Sequence, residues 1–214
     1  GVRRPGDVPT PVTPKGADWS RLDANTAFDF PYTDEEINEM ARRLVASRIS
    51  VSGVQPKLSV HLERDGGGSQ RITIVGFDGD YILKLPTKDY PELIESEYAT
   101  MSLARMCGIE TAEFRLATLS GGRRAYVTRR MDRVPHMRHM EDFCQLTERL
   151  TERKYFGSYE QIARKIRLYS SSGGADVVRF FEVVLFSFFT GNSDMHLSDL
   201  LVAEIHREGK IFVQ

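Results

Sequence analysis

The chain has 214 residues, and its 29 Lys plus Arg nearly balance its 30 Asp plus Glu, leaving a formal net charge of -1. This length can bury one substantial domain or two small lobes, and the balanced charge disfavours a generally basic nucleic-acid-binding protein. The longest apolar run, Val183–Phe189, is too short to span a bilayer. Because Cys107 and Cys144 form neither a disulfide framework nor a zinc spacing, we expect a cytoplasmic protein with no membrane segment.

The first 33 residues predict an extended arm. Proline neither continues a helix nor donates to a strand ladder, and five prolines interrupt this segment, at Pro5, Pro9, Pro11, Pro14 and Pro31. Trp19 and Phe28 are expected to pin the arm to the rest of the chain. A helix is predicted next, over residues 34–47, where apolar side chains recur at helical spacing.

Strand signals dominate the following stretch. Residues 57–62 alternate between polar and apolar side chains, as in a half-buried strand. Residues 72–77 and 81–85 flank Asp78–Gly79, a pair suited to a tight turn. We therefore expect these two segments to pair as a β-hairpin.

One helix and a second hairpin are predicted further along. The helix spans residues 91–106 and ends at Gly108, a residue type favoured just beyond helix C-termini. The hairpin consists of residues 114–119 and 125–128, which flank the turn signal Ser120–Gly122.

From about Glu141 onward the pattern is helical, and residues 159–168 and 177–189 are the clearest segments. The second of these is apolar enough to predict a buried helix. Strands around one helix, followed by a helical block, predict an α+β chain of two lobes with a cleft between them. The predicted divisions are an arm at 1–33, a strand-rich N-lobe at 34–134 and a helical C-lobe at 135–214.

The polar segment Ser50–Lys57 lies between a predicted helix and a predicted strand. Its serine, glycine, glutamine and lysine groups are donors that can cradle phosphate oxygens. It lacks the spacing of a Walker loop. The alternative is a plain helix-to-strand connection.

Lys84 and Glu97 form a candidate ion pair. Glu97 lies between Ile94 and Met101 on the apolar face of its helix, where a carboxylate is costly unless it is paired. Lys84 precedes it by 13 residues, on the strand that leads into this helix. Protein kinases hold ATP phosphates with a strand lysine paired to a helix glutamate. The alternative is a lysine that snorkels to the surface and a solvated glutamate.

The segment Gly191–His196 follows the most apolar helix. Its small polar residues end that helix and place Asp194 and His196 where a cleft could reach them. An aspartate in such a loop can accept a hydroxyl proton. The alternative is a turn in which the aspartate only caps the backbone.

Six segments together resemble the HipA family, serine/threonine kinases of bacterial toxin–antitoxin systems. They occur in the order of the family and are Ser50–Lys57, Tyr81–Pro86, Glu95–Tyr98, Arg130–Arg133, Glu141–Gln145 and Gly191–His196. The short N-terminal part and the paired serines Ser50 and Ser52 are similar to the compact HipT type. The resemblance implies a two-lobed protein-kinase-like fold of the HipA type.

The resemblance also implies a role for individual residues. The residues expected to bind ATP are Ser52, Gly53, Val54, Gln55, Pro56, Lys57, Lys84, Glu97, Arg129, Arg130 and Met131. Of these, the backbone of the last three would meet adenine. Asp194 would be the catalytic aspartate, with His196 as its loop neighbour. Ser50 and Ser52 would be autophosphorylation sites.

The implied cofactors are ATP and Mg²⁺. The implied partners are an antitoxin similar to HipB or HipS, an aminoacyl-tRNA synthetase as substrate (glutamyl for HipA, tryptophanyl for HipT), and DNA only through the antitoxin. Where the family has Lys-Asn in its catalytic loop, this chain has Ser198 and Asp199. Asp199 is the expected Mg²⁺ ligand. The family's later metal-binding aspartate would follow Gln214, so we expect an incomplete C-lobe.

Three function classes follow. The intact Lys84, Glu97 and Asp194 favour an active serine/threonine kinase toxin. Ser198 and Asp199 favour the alternative, a catalytically inactive relative that serves as a pseudokinase or antitoxin-binding module. A direct DNA-binding regulator is the weakest reading, because the net charge is near zero.

Overall fold

The computed structural model describes residues 27–37, 39–40, 57–64, 69–75, 79–87, 89–133, 140–142, 158–191, 200–203 and 210–213. The described elements form two groups. A five-stranded antiparallel sheet packs with one helix, and two further helices accompany a three-stranded sheet. The chain is therefore α+β, as predicted. No helix in these ranges is long and apolar enough to cross a bilayer.

The larger sheet has the strand order β2-β1-β3-β5-β4, and each neighbouring pair is antiparallel. Its strands are β1 (Lys57–Arg64), β2 (Gln70–Ile74), β3 (Tyr81–Lys84), β4 (Phe114–Thr118) and β5 (Arg124–Arg129). Because side chains alternate along a strand, one face carries the main core, which includes Leu58, Val60, Leu62, Ile72, Leu83 and Val127. The opposite face carries the helix and the candidate site.

The predicted hairpin across Asp78–Gly79 is wrong. Strand β1 lies between β2 and β3 and pairs with both, so β2 and β3 do not contact each other as a ladder. Gly79 instead lies against β1. A Cβ added at Gly79 would be 2.5 Å from the backbone nitrogen of Val60, and the Gly79 N–H donates to Ser59 Oγ at 3.1 Å. Close approach to a neighbouring strand explains this glycine.

The second predicted hairpin is confirmed. Strands β4 and β5 pair directly, with Phe114 opposite Thr128 and Thr118 opposite Arg124. A short 3-10 turn, Ser120–Gly122, connects them. Both of its glycines have left-handed φ angles, 82° and 80°, which other residues rarely adopt.

Residues 27–40 bring the two edges of the larger sheet together. The Phe28 N–H donates to Thr118 O at 2.8 Å beside β4, and the Asp29 N–H donates to Gln70 O at 2.7 Å on β2. Adjacent residues of this segment thus bond to opposite edge strands of a curled sheet. Phe28, a predicted anchor, and Phe30 are 3% and 2% exposed in its core. Trp19, the other predicted anchor, lies outside the described residues.

A capping box begins the first helix, α1, in which residues 34–37 and 39–40 are helical. The Thr33 N–H donates to Glu36 Oε2 at 2.8 Å, and the Glu36 N–H donates to Thr33 Oγ1 at 3.2 Å. The Thr33 hydroxyl also donates to Glu36 Oε2, at 3.0 Å, and the two bonds that Thr33 donates to this oxygen lower the pKa of the Glu36 carboxyl. The predicted continuation through residues 41–47 lies outside the described residues.

Helix α2 (Leu93–Met106) covers the opposite face of the larger sheet at β4 and β5. It ends as predicted. Gly108 has a φ of 80°, its N–H donates to Arg105 O at 3.1 Å, and the Ile109 N–H donates to Ala104 O at 3.0 Å. This is the Schellman pattern of helix termination. The buried contact surface consists of Ile94, Met101, Phe114, Leu116 and Tyr126.

The second group contains α3 (Tyr159–Tyr169), α4 (Gly173–Phe189) and a sheet of order β6-β7-β8. Its strands are β6 (Met140–Asp142), β7 (Leu200–Ala203) and β8 (Lys210–Val213). Both helices were expected, although α4 begins four residues earlier than predicted. The three strands were not expected in this part of the chain.

The expectation that the apolar end of α4 is fully buried is wrong. Phe188 and Phe189 are 79% and 81% exposed, whereas Val183 and Ser187 are buried. A helix that packs through one stripe buries residues at spacings of three and four only. Of the remaining apolar side chains of the run, Leu185 is also exposed, and Val184 and Phe186 are half-buried.

Candidate active site

Lys84 and Glu97 form an ion pair, as their spacing suggested. Lys84 is the last residue of β3, and Glu97 lies in the second turn of α2. The Lys84 ammonium donates to Glu97 Oε1, and the two side chains are only 17% and 26% exposed. A partly buried pair is screened less by water than a surface pair, so each charge depends more strongly on the other.

Lys57 lies beside this pair. It is the first residue of β1, and its Cα partner across the β1–β3 ladder is Lys84. Directly opposed residues project from the same face with Cβ atoms about 4.5–5.5 Å apart, and like charges in that arrangement repel. Two lysines that project from the same face at the ends of β1 and β3 place positive charge where an anion could bind.

Tyr126 completes the row, and sequence reasoning missed it. It is the cross-strand partner of Lys84 on β5, it is 1% exposed, and its ring centroid is 5.5 Å from the Lys84 Nζ. Burial, and secondarily the Glu97 carboxylate, raises the pKa of the Tyr126 hydroxyl, so the ring stays neutral. Only the strand register reveals this neighbour, because the sequence pattern does not show which β5 residue faces Lys84.

The segment predicted to meet adenine leaves the sheet at the end of β5. The Arg129 N–H donates to Glu113 O, and the Arg130 N–H donates to Asp80 O, each at 2.8 Å. These two N–H groups are therefore already bonded within the fold. A base that contacts this segment would use other backbone groups, such as those of Met131, which begins a 3-10 turn.

Asp132 holds that turn in place and was not predicted. It is 8% exposed and accepts from Arg130 at 3.0 and 2.8 Å and from Arg133 at 2.9 Å. A buried carboxylate between two guanidinium groups has its charge compensated. The turn that follows β5 is thus fixed by side-chain charges.

Several predicted site residues lie outside the described residues. They are Ser50, Ser52, Gly53, Val54, Gln55, Pro56, Asp194, His196 and Asp199. The described chain leads to both of their segments, since β1 starts at Lys57 and α4 ends at Phe189. Gly191, with a φ of 67°, then turns the backbone two residues after the helix. Across the described ranges, no three His, Cys, Asp or Glu side chains group as metal ligands.

Comparison with known proteins identifies the family. The model of the HipA-like C-terminal domain matches residues 49–203, which contain Lys57, Lys84, Glu97 and Tyr126. The chain belongs to the HipA-like C-terminal domain family. This confirms the resemblance on which the site assignments rest, although the HipT subtype stays a prediction.

Two curated relatives of this HipA-like chain carry provisional kinase names. A protein of Sinorhizobium fredii, Y4dM, is 35% identical over 80% of this chain and 44% of its own length. A protein of Haemophilus influenzae is 30% identical over 70% of this chain and 46% of its own length. The chain therefore spans less than half the length of these relatives.

Solved structures show the same fold. HipA of Shewanella oneidensis, in a complex with HipB and operator DNA, matches with a TM-score of 0.57 and 22% identity over 92% of this chain and 51% of its own. The Helicobacter pylori kinase CtkA matches with a TM-score of 0.54 and 15% identity over 88% of this chain and 58% of its own. The predicted kinase-like fold of the HipA type is confirmed.

Proposed function

We propose that this HipA-like chain is the kinase region of an ATP-dependent serine/threonine protein kinase. The observation that carries the proposal is the partly buried Lys84–Glu97 pair with Lys57 opposite Lys84, at the ends of two interior strands of a kinase-like sheet. The kinase names of the two curated relatives support the same activity. The proposed organisation is an arm at 1–33, an N-lobe at 34–134 and a C-lobe at 135–214.

The residues present at this site fit a nucleoside triphosphate. Lys84, oriented by Glu97, would hold the α and β phosphates, and Lys57 adds a second cation on the same face. Ser52–Pro56 directly precede β1 and would supply further donors. When bound, ATP supplies the phosphoryl group that is transferred. Arg129–Met131 would flank the base.

The catalytic step is assigned to the segment that follows α4. Asp194 would accept the proton of the substrate hydroxyl, with His196 beside it in the loop. Asp199 offers carboxylate oxygens, which are the hard ligands that Mg²⁺ prefers. Autophosphorylation is proposed at Ser50 and Ser52, beside the phosphate-binding segment.

The wider role is proposed to be that of a toxin. HipA of Shewanella oneidensis was solved with HipB and operator DNA, which supports an antitoxin partner here, with DNA contacted only through it. The proposed substrate is an aminoacyl-tRNA synthetase, glutamyl or tryptophanyl, whose phosphorylation would inhibit translation.

A second candidate function is supported by a departure from the family's catalytic loop. Ser198 and Asp199 stand where the family's catalytic loop has Lys-Asn. Loss of that lysine removes positive charge near the transferred group. This favours a catalytically inactive relative that binds nucleotide or antitoxin without phosphoryl transfer.

Radiolabelled ATP distinguishes the two functions. We expect the full-length protein to incorporate label, and Asp194→Ala to bind ATP with similar affinity while transferring none. Asp89→Ala, a change at an exposed aspartate near α2, is the control and should behave as wild type. Label on the Asp194→Ala protein would refute the catalytic assignment. A wild type that binds ATP without transfer would establish the inactive alternative.

A further inference from the structure

Tyr126 and Phe114 form a stack beneath the Lys84–Glu97 pair. Their ring centroids are 6.0 Å apart with an interplanar angle of 21°. The Lys84 ammonium lies over the Tyr126 ring at 5.5 Å, and the Arg105 guanidinium lies over the Phe114 ring at 4.3 Å. Two rings thus separate two cations, one from β3 and one from α2.

The backbone of Tyr126 is held by hydrogen-bonded strands on both sides. Tyr126 is opposite Lys84 in the β3–β5 ladder and opposite Leu116 in the β4–β5 ladder. It is 1% exposed, and it packs with Ile94 of α2. A buried ring between two paired strands and a helix has little freedom to move.

Lys84 needs more than one restraint. A lysine side chain has four carbons and many rotamers, and the bond to Glu97 is made by its terminal ammonium. A neutral ring face attracts a cation at this distance, more strongly where water is partly excluded, as it is for the 17% exposed Lys84. The ring therefore restrains the ammonium from a second direction.

We propose that Tyr126 is a positioning residue, whose ring face holds the Lys84 ammonium at Glu97 in the place where phosphate binds. The proposal rests on the proposed function only for the identity of the anion. The restraint on Lys84 exists whether or not nucleotide is present, so it can be measured without ATP.

The first measurement is the acylation rate of Lys84 by acetic anhydride, followed by mass spectrometry of the nucleotide-free full chain. Lys165 on α3, which lies 5.5 Å from the Tyr169 ring, is the internal reference. Tyr126→Leu should raise the acylation of Lys84 relative to Lys165 by about 3- to 30-fold, since the ring restraint is lost. Tyr126→Phe keeps the ring and should stay within about twofold of wild type.

Phe114→Leu is the matched control. It removes an aromatic ring from the same cluster, but not the ring beneath Lys84. It should cost similar stability and leave the acylation of Lys84 unchanged. If Tyr126→Leu does not fold, Tyr126→Met replaces it, because a flexible methionine refills much of the volume, with the same expectation.

The second measurement is the KM for ATP. Tyr126→Leu should raise KM by about 3- to 30-fold, and Tyr126→Phe and Phe114→Leu should not. Unchanged acylation in Tyr126→Leu, or an equal rise in Phe114→Leu, would overturn the positioning role. If Lys84→Met left ATP binding intact, the proposed function would fail, while the acylation result would still decide the role of Tyr126.

Discussion

Lys57 and Lys84 face each other across the β1–β3 ladder, so two ammonium groups share one face of the sheet. Glu97 compensates Lys84, and the phosphates of a nucleotide would add negative charge at the same corner. The register of these two strands thus places two lysines on the face where the phosphates of the proposed nucleotide would bind.

The Lys84–Glu97 pair should behave as one unit in ATP binding. Lys84→Met should weaken ATP binding by about 1.5–3 kcal/mol, the range for a hydrogen bond to a charged group, and Glu97→Gln by less. Because the residues are in contact, the double variant should be less impaired than the sum of the two. Calorimetric titration with ATP measures all three.

The control for this cycle is Glu95→Gln. Glu95 lies on the same helix, but its Oε1 is 3.5 Å from Arg124, away from Lys84. Its change should leave ATP affinity as in wild type. Strictly additive effects of Lys84→Met and Glu97→Gln would contradict the pairing.

The variant Lys57→Met tests whether Lys57 contacts the phosphates of ATP. Loss of the ammonium should weaken ATP binding by about 1 kcal/mol or more and AMP binding by less, because AMP carries fewer phosphates. The free energy of unfolding without nucleotide is measured alongside, so that a loss of stability is not mistaken for the loss of a phosphate contact. Urea denaturation and titration test this, with Lys165→Met as the control. Equal losses for ATP and AMP would argue against a phosphate contact.

Phosphorylation at Ser50 or Ser52 should inhibit the enzyme. Each phosphate adds about -1.5 to -2 charges at neutral pH, and Lys57 and Lys84 are the cations that it would be expected to capture in place of ATP. Aspartate at both serines should lower ATP affinity and kinase rate, whereas alanine at both should leave ATP binding near normal. Ser171→Asp, at an exposed serine between α3 and α4, is the control. Intact-mass analysis that finds neither serine phosphorylated in an active preparation would remove this regulation.

Gly79→Ala tests the close approach of the chain to β1. The new Cβ would lie 2.5 Å from Val60 N and 2.8 Å from Val60 O, both backbone atoms. We expect the free energy of unfolding to fall by about 1–3 kcal/mol, as for other overpacked sites. Gly174→Ala, with no atom within 4 Å of its Cβ, should be neutral or stabilise by up to about 1 kcal/mol. Equal urea midpoints for wild type and Gly79→Ala would show that β1 can move away.

Features that depend on residues close together in the sequence were predicted correctly. The end of α2 at Gly108 and the β4–β5 turn at Ser120–Gly122 depend on φ angles that glycine adopts easily, and both were predicted correctly. The pair Asp78–Gly79 also looked like a turn, and the hairpin predicted from it was wrong. A glycine that is needed because a neighbouring strand lies close cannot be told from a turn glycine in the sequence. The partner of a strand is chosen by contacts distant along the chain.

The sequence by itself determined that the chain is α+β and that it resembles the HipA family, and it made Lys84 the candidate partner of Glu97. A carboxylate on an apolar helix face is costly when it is buried, which is why the sequence favoured a partner. Only the tertiary structure decided that Lys57, Lys84 and Tyr126 form one row, and that Phe28 and Asp29 bond to opposite edge strands. The physical reason is register. A shift of one residue moves every side chain to the other face of the sheet, and the register is set by the packing of all five strands together.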